Sequence, residues 1–194
     1  MVMLRRVLLA VAVVPVVLST IPTSSAFAGG SLPYRPDAWI KLCGQSTGCT
    51  INPPPHPWKG NNVYNTTGDH QTIPQKIEEG EGVRFWILLQ NDGTTDDTVT
   101  VQGCPDTNQF YVNKVLMGEQ KRPHWPVTDV TKAFKKGTLQ FDLKAADANK
   151  AVFTLNIIER SNATVGVTKH CDVTITSAGD PSLSDTLVTT MTAT

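Results

Sequence analysis

Apolar and polar residues alternate in short runs along most of this chain. Val83, Phe85, Ile87 and Leu89 fall on one face of a single run. Leu139, Phe141 and Leu143 alternate with Gln140 and Asp142, and Ala151, Phe153, Leu155 and Ile157 alternate with Thr154 and Asn156. A period of two is the signature of a strand with one buried face. Further runs of the same kind lie at 38–42, 71–77, 98–103, 109–116, 167–176 and 186–193. Turn-forming residues separate them, as in Glu79-Gly80-Glu81-Gly82, Asn91-Asp92-Gly93 and Gly179-Asp180-Pro181. About nine short strands with almost no helix predict an all-β immunoglobulin-like antiparallel sandwich of about 7–9 strands.

Two segments break the rhythm. Val130, Ala133 and Phe134 stand at helical spacing after Thr128-Asp129 and before Lys135-Lys136-Gly137, which predicts one short helical crossover between sheets. Between 44 and 72 the alternation stops. Its proline-rich part, 52–60, cannot pair as a strand because proline lacks the donor, and is expected to be a stiff surface loop.

The first residues change the picture of where the chain works. Arg5-Arg6 precede an apolar run from Val7 to about Ile21, and Ala26-Phe27-Ala28 follows. That order is a basic start, an apolar stretch too short to span a bilayer comfortably, and an Ala-x-Ala cleavage site. The expected organisation is a signal peptide over 1–28 and one domain over 29–194, secreted or held in the cell envelope. Cleavage removes Arg5 and Arg6 and no acid, leaving 15 basic residues against 17 acidic ones and a formal charge of −2. Without a clustered basic footprint, nucleic acid is not an expected partner. No later run is apolar enough for a membrane span.

All four cysteines lie after the leader, which reads as a disulfide framework with three possible connectivities. Cys43 and Cys49 bracket a glycine-ended loop and suit a local bridge, which leaves Cys104 with Cys171 as a long-range staple. Cys171 is in phase with Val165, Val167, Val173 and Ile175, whereas Cys104 is out of phase with Val99 and Val101. Gly103 offers a bulge to correct that phase. The competing use of Cys171, a metal site with His170, lacks the paired ligand spacing of zinc sites.

Several blocks together resemble a known family. Pro36-Asp37-Ala-Trp39-Ile40 and Gly60-Asn61-Asn62-Val63-Tyr64 are similar to the opening of bacterial exported immunoglobulin-like modules. Ile77-Glu-Glu-Gly80-Glu-Gly82-Val83-Arg-Phe85 with Asn91-Asp92-Gly93 looks like the centre of CARDB-type domains, the cell-adhesion-related domains of bacteria. Val173-Thr-Ile175 through Asp185-Thr-Leu187-Val188 resembles their last two strands, so the likeness covers roughly 36–192. It implies a non-enzymatic adhesion, cell-envelope or assembly module, and it carries no shared catalytic residues. The leader, the four cysteines and the proline-rich loop are departures from that family, in keeping with a domain that stands alone outside the cell.

Candidate chemistry is sparse. No Gly-x-Ser-x-Gly elbow is present, and His56, His70, His124 and His170 share no metal spacing. No enzyme is expected, and no cofactor apart from calcium as a candidate. Asp92, Asp96 and Asp97 sit in one loop and could offer hard oxygen ligands to calcium. Glu78, Glu79 and Glu81 read as a solvated turn. Trp58, Tyr64 and Trp125 lie on or beside stiff loops, where flat rings can stack on a sugar or anchor a protein. Trp39 and Trp86 fall on strands and read as core or sheet-face residues. Expected partners are a cell-surface protein or glycan, or a second copy paired along an exposed edge, with the Thr-rich end 186–194 as the candidate edge. A rigid inhibitory loop over 52–60 ranks last.

Overall fold

A computed structural model of the chain describes residues 32–44, 57–118 and 127–194. These residues belong to a single unit, 31–194, and the expected leader lies outside them. Every expected strand is present within two residues of its expected ends. In chain order they begin with β1 (Pro36–Gly44), β2 (Thr72–Ile77), β3 (Gly82–Asn91), β4 (Asp97–Gln102) and β5 (Phe110–Met117). A two-residue β6 (Thr128–Asp129) and the helix α1 (Thr131–Lys136) follow. The chain closes with β7 (Leu139–Leu143), β8 (Ala151–Glu159), β9 (Thr168–Ser177) and β10 (Ser184–Ala193).

They form two five-stranded sheets, ordered β1-β3-β8-β5-β6 and β2-β10-β9-β4-β7. All pairs are antiparallel except β2 beside β10, which run parallel in register from Val188↔Thr72 to Ala193↔Ile77. The immunoglobulin-like sandwich is therefore mixed at one edge rather than wholly antiparallel. Inward rows interlock between the sheets: Phe85, Ile87, Phe153 and Leu155 from one, Val99, Val173, Ile175 and Leu187 from the other, all fully buried. Thr128-Asp129 pair with β5 instead of opening the helix, although Asp129 Oδ1 still accepts the Thr131 N–H at 2.9 Å. The helix is then the crossover from one sheet to the other, and it buries Phe134.

The helix settles the phase of Cys104. β4 ends at Gln102, and the Gly103 N–H bonds the Phe134 carbonyl at 3.1 Å. A Cβ on Gly103 would lie 1.9 Å from the Phe134 ring, so only glycine lets the helix approach here. The chain turns at that point and Cys104 enters the core, bonded to Cys171. The bridge joins neighbouring strands of one sheet rather than the two sheets. It also rules out a metal role for Cys171. Cys43 is disulfide-bonded as well; Cys49, its expected partner, lies outside the described residues. The row behind Cys171 is shorter than its pattern suggested, because β9 starts at Thr168 and Val165 is 75% exposed in the preceding loop.

The C-terminal strand corrects a second expectation. β10 is paired on both sides, by β9 and by β2, so 186–194 is not a free edge. Its burial follows from Leu187, Thr189, Met191 and Ala193, which point into the core.

Two stability measurements check this account. Replacing Cys104 and Cys171 together by serine opens a loop spanning 67 residues of sequence separation and is expected to cost about 4 kcal/mol in denaturant unfolding. Gly103→Ala is expected to cost about 2 kcal/mol, since Phe134 must leave its site or strain. An unchanged midpoint for Gly103→Ala would show that α1 does not set the turn.

Candidate functional site

Residues 57–71 form a strap that leaves one sheet and joins the other. At its start Lys59 exchanges both backbone hydrogen bonds with Ile40 of β1, at 2.8 and 2.9 Å. Near its end the Asn65 and Gln71 carbonyls accept the N–H groups of Thr186 and Val188 on β10. Gly60 has φ 108° and lies so close to β1 that a Cβ would stand 2.4 Å from the Ala38 carbonyl oxygen. The strap thus closes the seam where β1 and β10 diverge.

Two carboxylates hold it there, and both are fully buried. Asp185 Oδ1 accepts from the Gln71 amide at 2.7 Å, from Asn65 N at 3.2 Å and from Thr186 N at 2.9 Å. Its Oδ2 accepts the Ala38 N–H at 2.9 Å. Asp37 Oδ2 accepts the Trp39 indole N–H at 2.6 Å, the Gln90 amide at 3.0 Å and Asn62 N at 3.2 Å. Asp37 Oδ1, Gln71 Oε1 and Gln90 Oε1 are buried without a hydrogen-bond partner. Burial pushes the Asp37 carboxyl up to about 7, with Asp92 and Asp185 adding to the rise against the hydrogen bonds from Trp39 and Asn62. Burial likewise raises Asp185 to about 6, although every hydrogen bond it accepts pulls the other way.

The network continues to the surface. Gln90 also donates to Asp92 Oδ1 at 2.9 Å, and the Tyr64 hydroxyl donates to Asp92 Oδ2. The Arg35 guanidinium lies 3.8 Å above the centre of the Tyr64 ring. Burial and then the Asp92 carboxylate hold the Tyr64 phenol well above its ordinary value.

Next to this network is an aromatic cluster on the outer face of the β1–β3 pair. Trp58 of the strap stacks on Trp86 of β3, with centroids 6.3 Å apart, and meets Trp39 of β1 edge-on at 6.2 Å. The Lys41 ammonium lies 5.7 and 5.9 Å from the Trp58 and Trp86 rings, and Lys150 lies 4.9 Å from Trp39. Trp39 and Trp86 are sheet-face residues, as their strand positions required.

The residues singled out from the sequence are dispersed. Trp58 joins the aromatic cluster, Tyr64 joins the polar network, and Trp125 lies outside the described residues, as do His56 and His124. The calcium candidates do not converge. Asp96 binds Lys144 Nζ at 2.6 Å and Ala145 N at 3.0 Å, while Asp97 accepts Gly179 N at 3.1 Å. Asp92 faces Tyr64 and Gln90. The hydrogen bonds from Lys144 and Ala145 lower the Asp96 pKa. Among the described residues no group of three or more acidic, His or Cys side chains is placed to hold a metal ion. Glu78, Glu79 and Glu81 are exposed on a turn, as expected. Asp37, Gln71, Gln90 and Asp185 were missed, since an isolated polar residue at a strand margin looks like ordinary solvent-facing sequence.

Trp58→Ala removes the stack on Trp86 and is expected to cost about 2 kcal/mol, with a red shift of the remaining tryptophan emission. Unchanged emission and stability would mean that the three rings do not act as a unit.

No family model matches the chain, and no curated protein matches it. Among solved structures it is similar to a family 123 glycoside hydrolase from Clostridium perfringens, at 13% identity and TM-score 0.41, over 64% of this chain and 23% of that one. The N-terminal domain of PorA is 12% identical with TM-score 0.36, over 80% and 96% of the two chains. A PapD-like domain of human CEP192 is 16% identical with TM-score 0.32, over 63% and 79%. The chain spans less than a third of the hydrolase, and likenesses of this size bear on neither its chemistry nor its partner.

Proposed function

We propose that this chain is an exported, non-catalytic module that binds a partner at the cell surface through its loops. The leader pattern, the disulfide framework and the resemblance to CARDB-type domains support export and an adhesion or cell-envelope role. Fold alone does not specify function, so the choice between loops and strand edges rests on the edges themselves.

The observation that carries the reading is the partial closure of each of those edges by other groups of the chain. An exposed strand pairs with another chain only where N–H and C=O groups are free. On β1, Ile40 is taken by Lys59 and the Ala38 N–H by Asp185. On β2, the Thr72 carbonyl accepts from Lys59 Nζ, Pro74 has no N–H, and the Pro74 carbonyl accepts from the Gln75 side chain. On β5, Asp106 Oδ1 accepts the Val112 N–H, Thr131 Oγ1 accepts the Val115 N–H, and β6 covers the end. On β7, Asn149 takes both the Asp142 carbonyl and the Lys144 N–H, and the backbone of Gln140 lies beyond its reach. Side chains have been spent at every edge. That pattern favours a module that stays separate from its own copies and uses its ends.

The end carrying Trp58 and Tyr64 is also braced. Thr94 and Thr95 donate to the carbonyls of Leu32 and Pro33, and Ala146 N to Gly93. Preformed loops lose little freedom on binding, which favours affinity. A carbohydrate or small-ligand site at the half-buried Trp39, Trp58 and Trp86 is the second reading. The rings already stack on one another and on lysines, which leaves less of each face for a sugar.

Labelled mature domain is expected to bind intact producer cells saturably. Trp58→Ala should weaken that binding at least tenfold, and Gln140→Pro should leave it unchanged. The reverse result assigns the contact to the β7 edge. Quenching of tryptophan emission by soluble cell-wall sugars, abolished in Trp58→Ala, would favour the second reading.

A further inference from the structure

We propose that Asp37, set against Asp185, is a proton-dependent latch on the strap 57–71, shut in mild acid and released above neutral pH. The inference concerns control of the loop end and holds whichever partner that end binds.

Both carboxyls are fully buried, and among the described residues neither has a Lys or Arg within ion-pair distance. An unpaired buried charge is costly, so the lowest-energy form of such a group carries its proton. The two oxygens of Asp37 differ in the required way. Oδ2 accepts three donors, while Oδ1 is buried and accepts none. An Oδ1 that bears hydrogen needs no donor, and the orphaned Gln71 and Gln90 carbonyl oxygens are of the acceptor type such a hydrogen seeks. Asp185 is saturated by four donors and is the better seat for a charge.

The charged groups around Asp37 explain why its ionisation would open the strap. Asp92 follows β3 and Asp185 stands on β10, and both repel a second charge at Asp37. Tyr64 in the strap is hydrogen-bonded to Asp92, and Arg35, before β1, is held on the Tyr64 ring. Lys41 and Lys150 face the tryptophan rings rather than either carboxylate. Loss of the proton therefore places like charges on opposite sides of the seam. The cheapest relief is to let water in, and the movable wall is the strap, which carries Trp58 and Tyr64.

The sign follows from linkage. A carboxyl whose folded pKa is raised binds more protons in the closed state, so the closed state is fully favoured below about 4 and loses that advantage as pH rises through about 7.

Hydrogen-exchange protection of 59–71, corrected for intrinsic rates, is the direct readout on the mature domain. It is expected to fall at least tenfold between pH 5.5 and 8 while the central strands β3 and β8 keep theirs. Asp37→Asn imitates the protonated carboxyl and should keep the strap protected at pH 8. Asp185→Asn turns a donor against one of four N–H groups and should lower protection of the strap at both pH values. Flat protection of the unmodified protein across this range overturns the latch. Recovery of protection at pH 8 on adding millimolar calcium chloride also overturns it, since the site would then be a cation site. Loss of cell binding by Trp58→Ala bears on the partner reading alone and leaves this test untouched.

Discussion

Two sheets packed face to face must separate somewhere, and where they separate the core needs a lid. At the seam between β1 and β10 the lid is a strap of loop, and a loop brings backbone polar groups that a methyl group cannot satisfy. Asp37 and Asp185 meet that demand by accepting N–H groups from both sheets and from the strap itself. The arrangement of the loop end follows from it. Trp58 reaches Trp86 because Lys59 is paired to β1, and Tyr64 reaches Asp92 because Asn62 and Asn65 are held by the two acids. A hydrophobic seal would be simpler but would leave the strap's donors unpaired.

Burying acids has a cost, and the strap makes it visible. Each carboxyl is surrounded by donors, yet burial still outweighs them and raises both above the ordinary range. Buried polar networks of this kind specify one geometry when complete and yield first where they are incomplete. The incomplete place here is Oδ1 of Asp37, buried without a donor.

The sandwich was legible in the sequence because alternation reports burial directly: Val83 to Leu89 and Leu139 to Leu143 could only line one face. The Cys104 phase problem was legible too, down to Gly103, although its cause, the Phe134 ring, belongs to a contact between distant segments. Parallel pairing of β2 with β10 was not legible, since one strand's pattern does not say which neighbour it takes. The site was harder to read. Trp58 and Tyr64 stood out as aromatic residues beside a stiff loop, but the structure sends them to different neighbourhoods. Asp92, Asp96 and Asp97 are close in sequence and part ways because a bend at 93–95 separates Asp92 from the other two, and Asp97 opens β4 while Asp96 stays outside it. Asp37 and Asp185 are 148 residues apart in number and meet only through the fold.

The parallel pair at the sheet edge carries a mechanical consequence. When a chain is pulled along its length, hydrogen bonds lying across the direction of pull bear the load together, whereas those at a hairpin end break one after another. β2 and β10 run side by side in the same direction over six registered pairs. Tension entering through β2 and leaving through β10 draws them past each other lengthwise, so the whole ladder must slip at once.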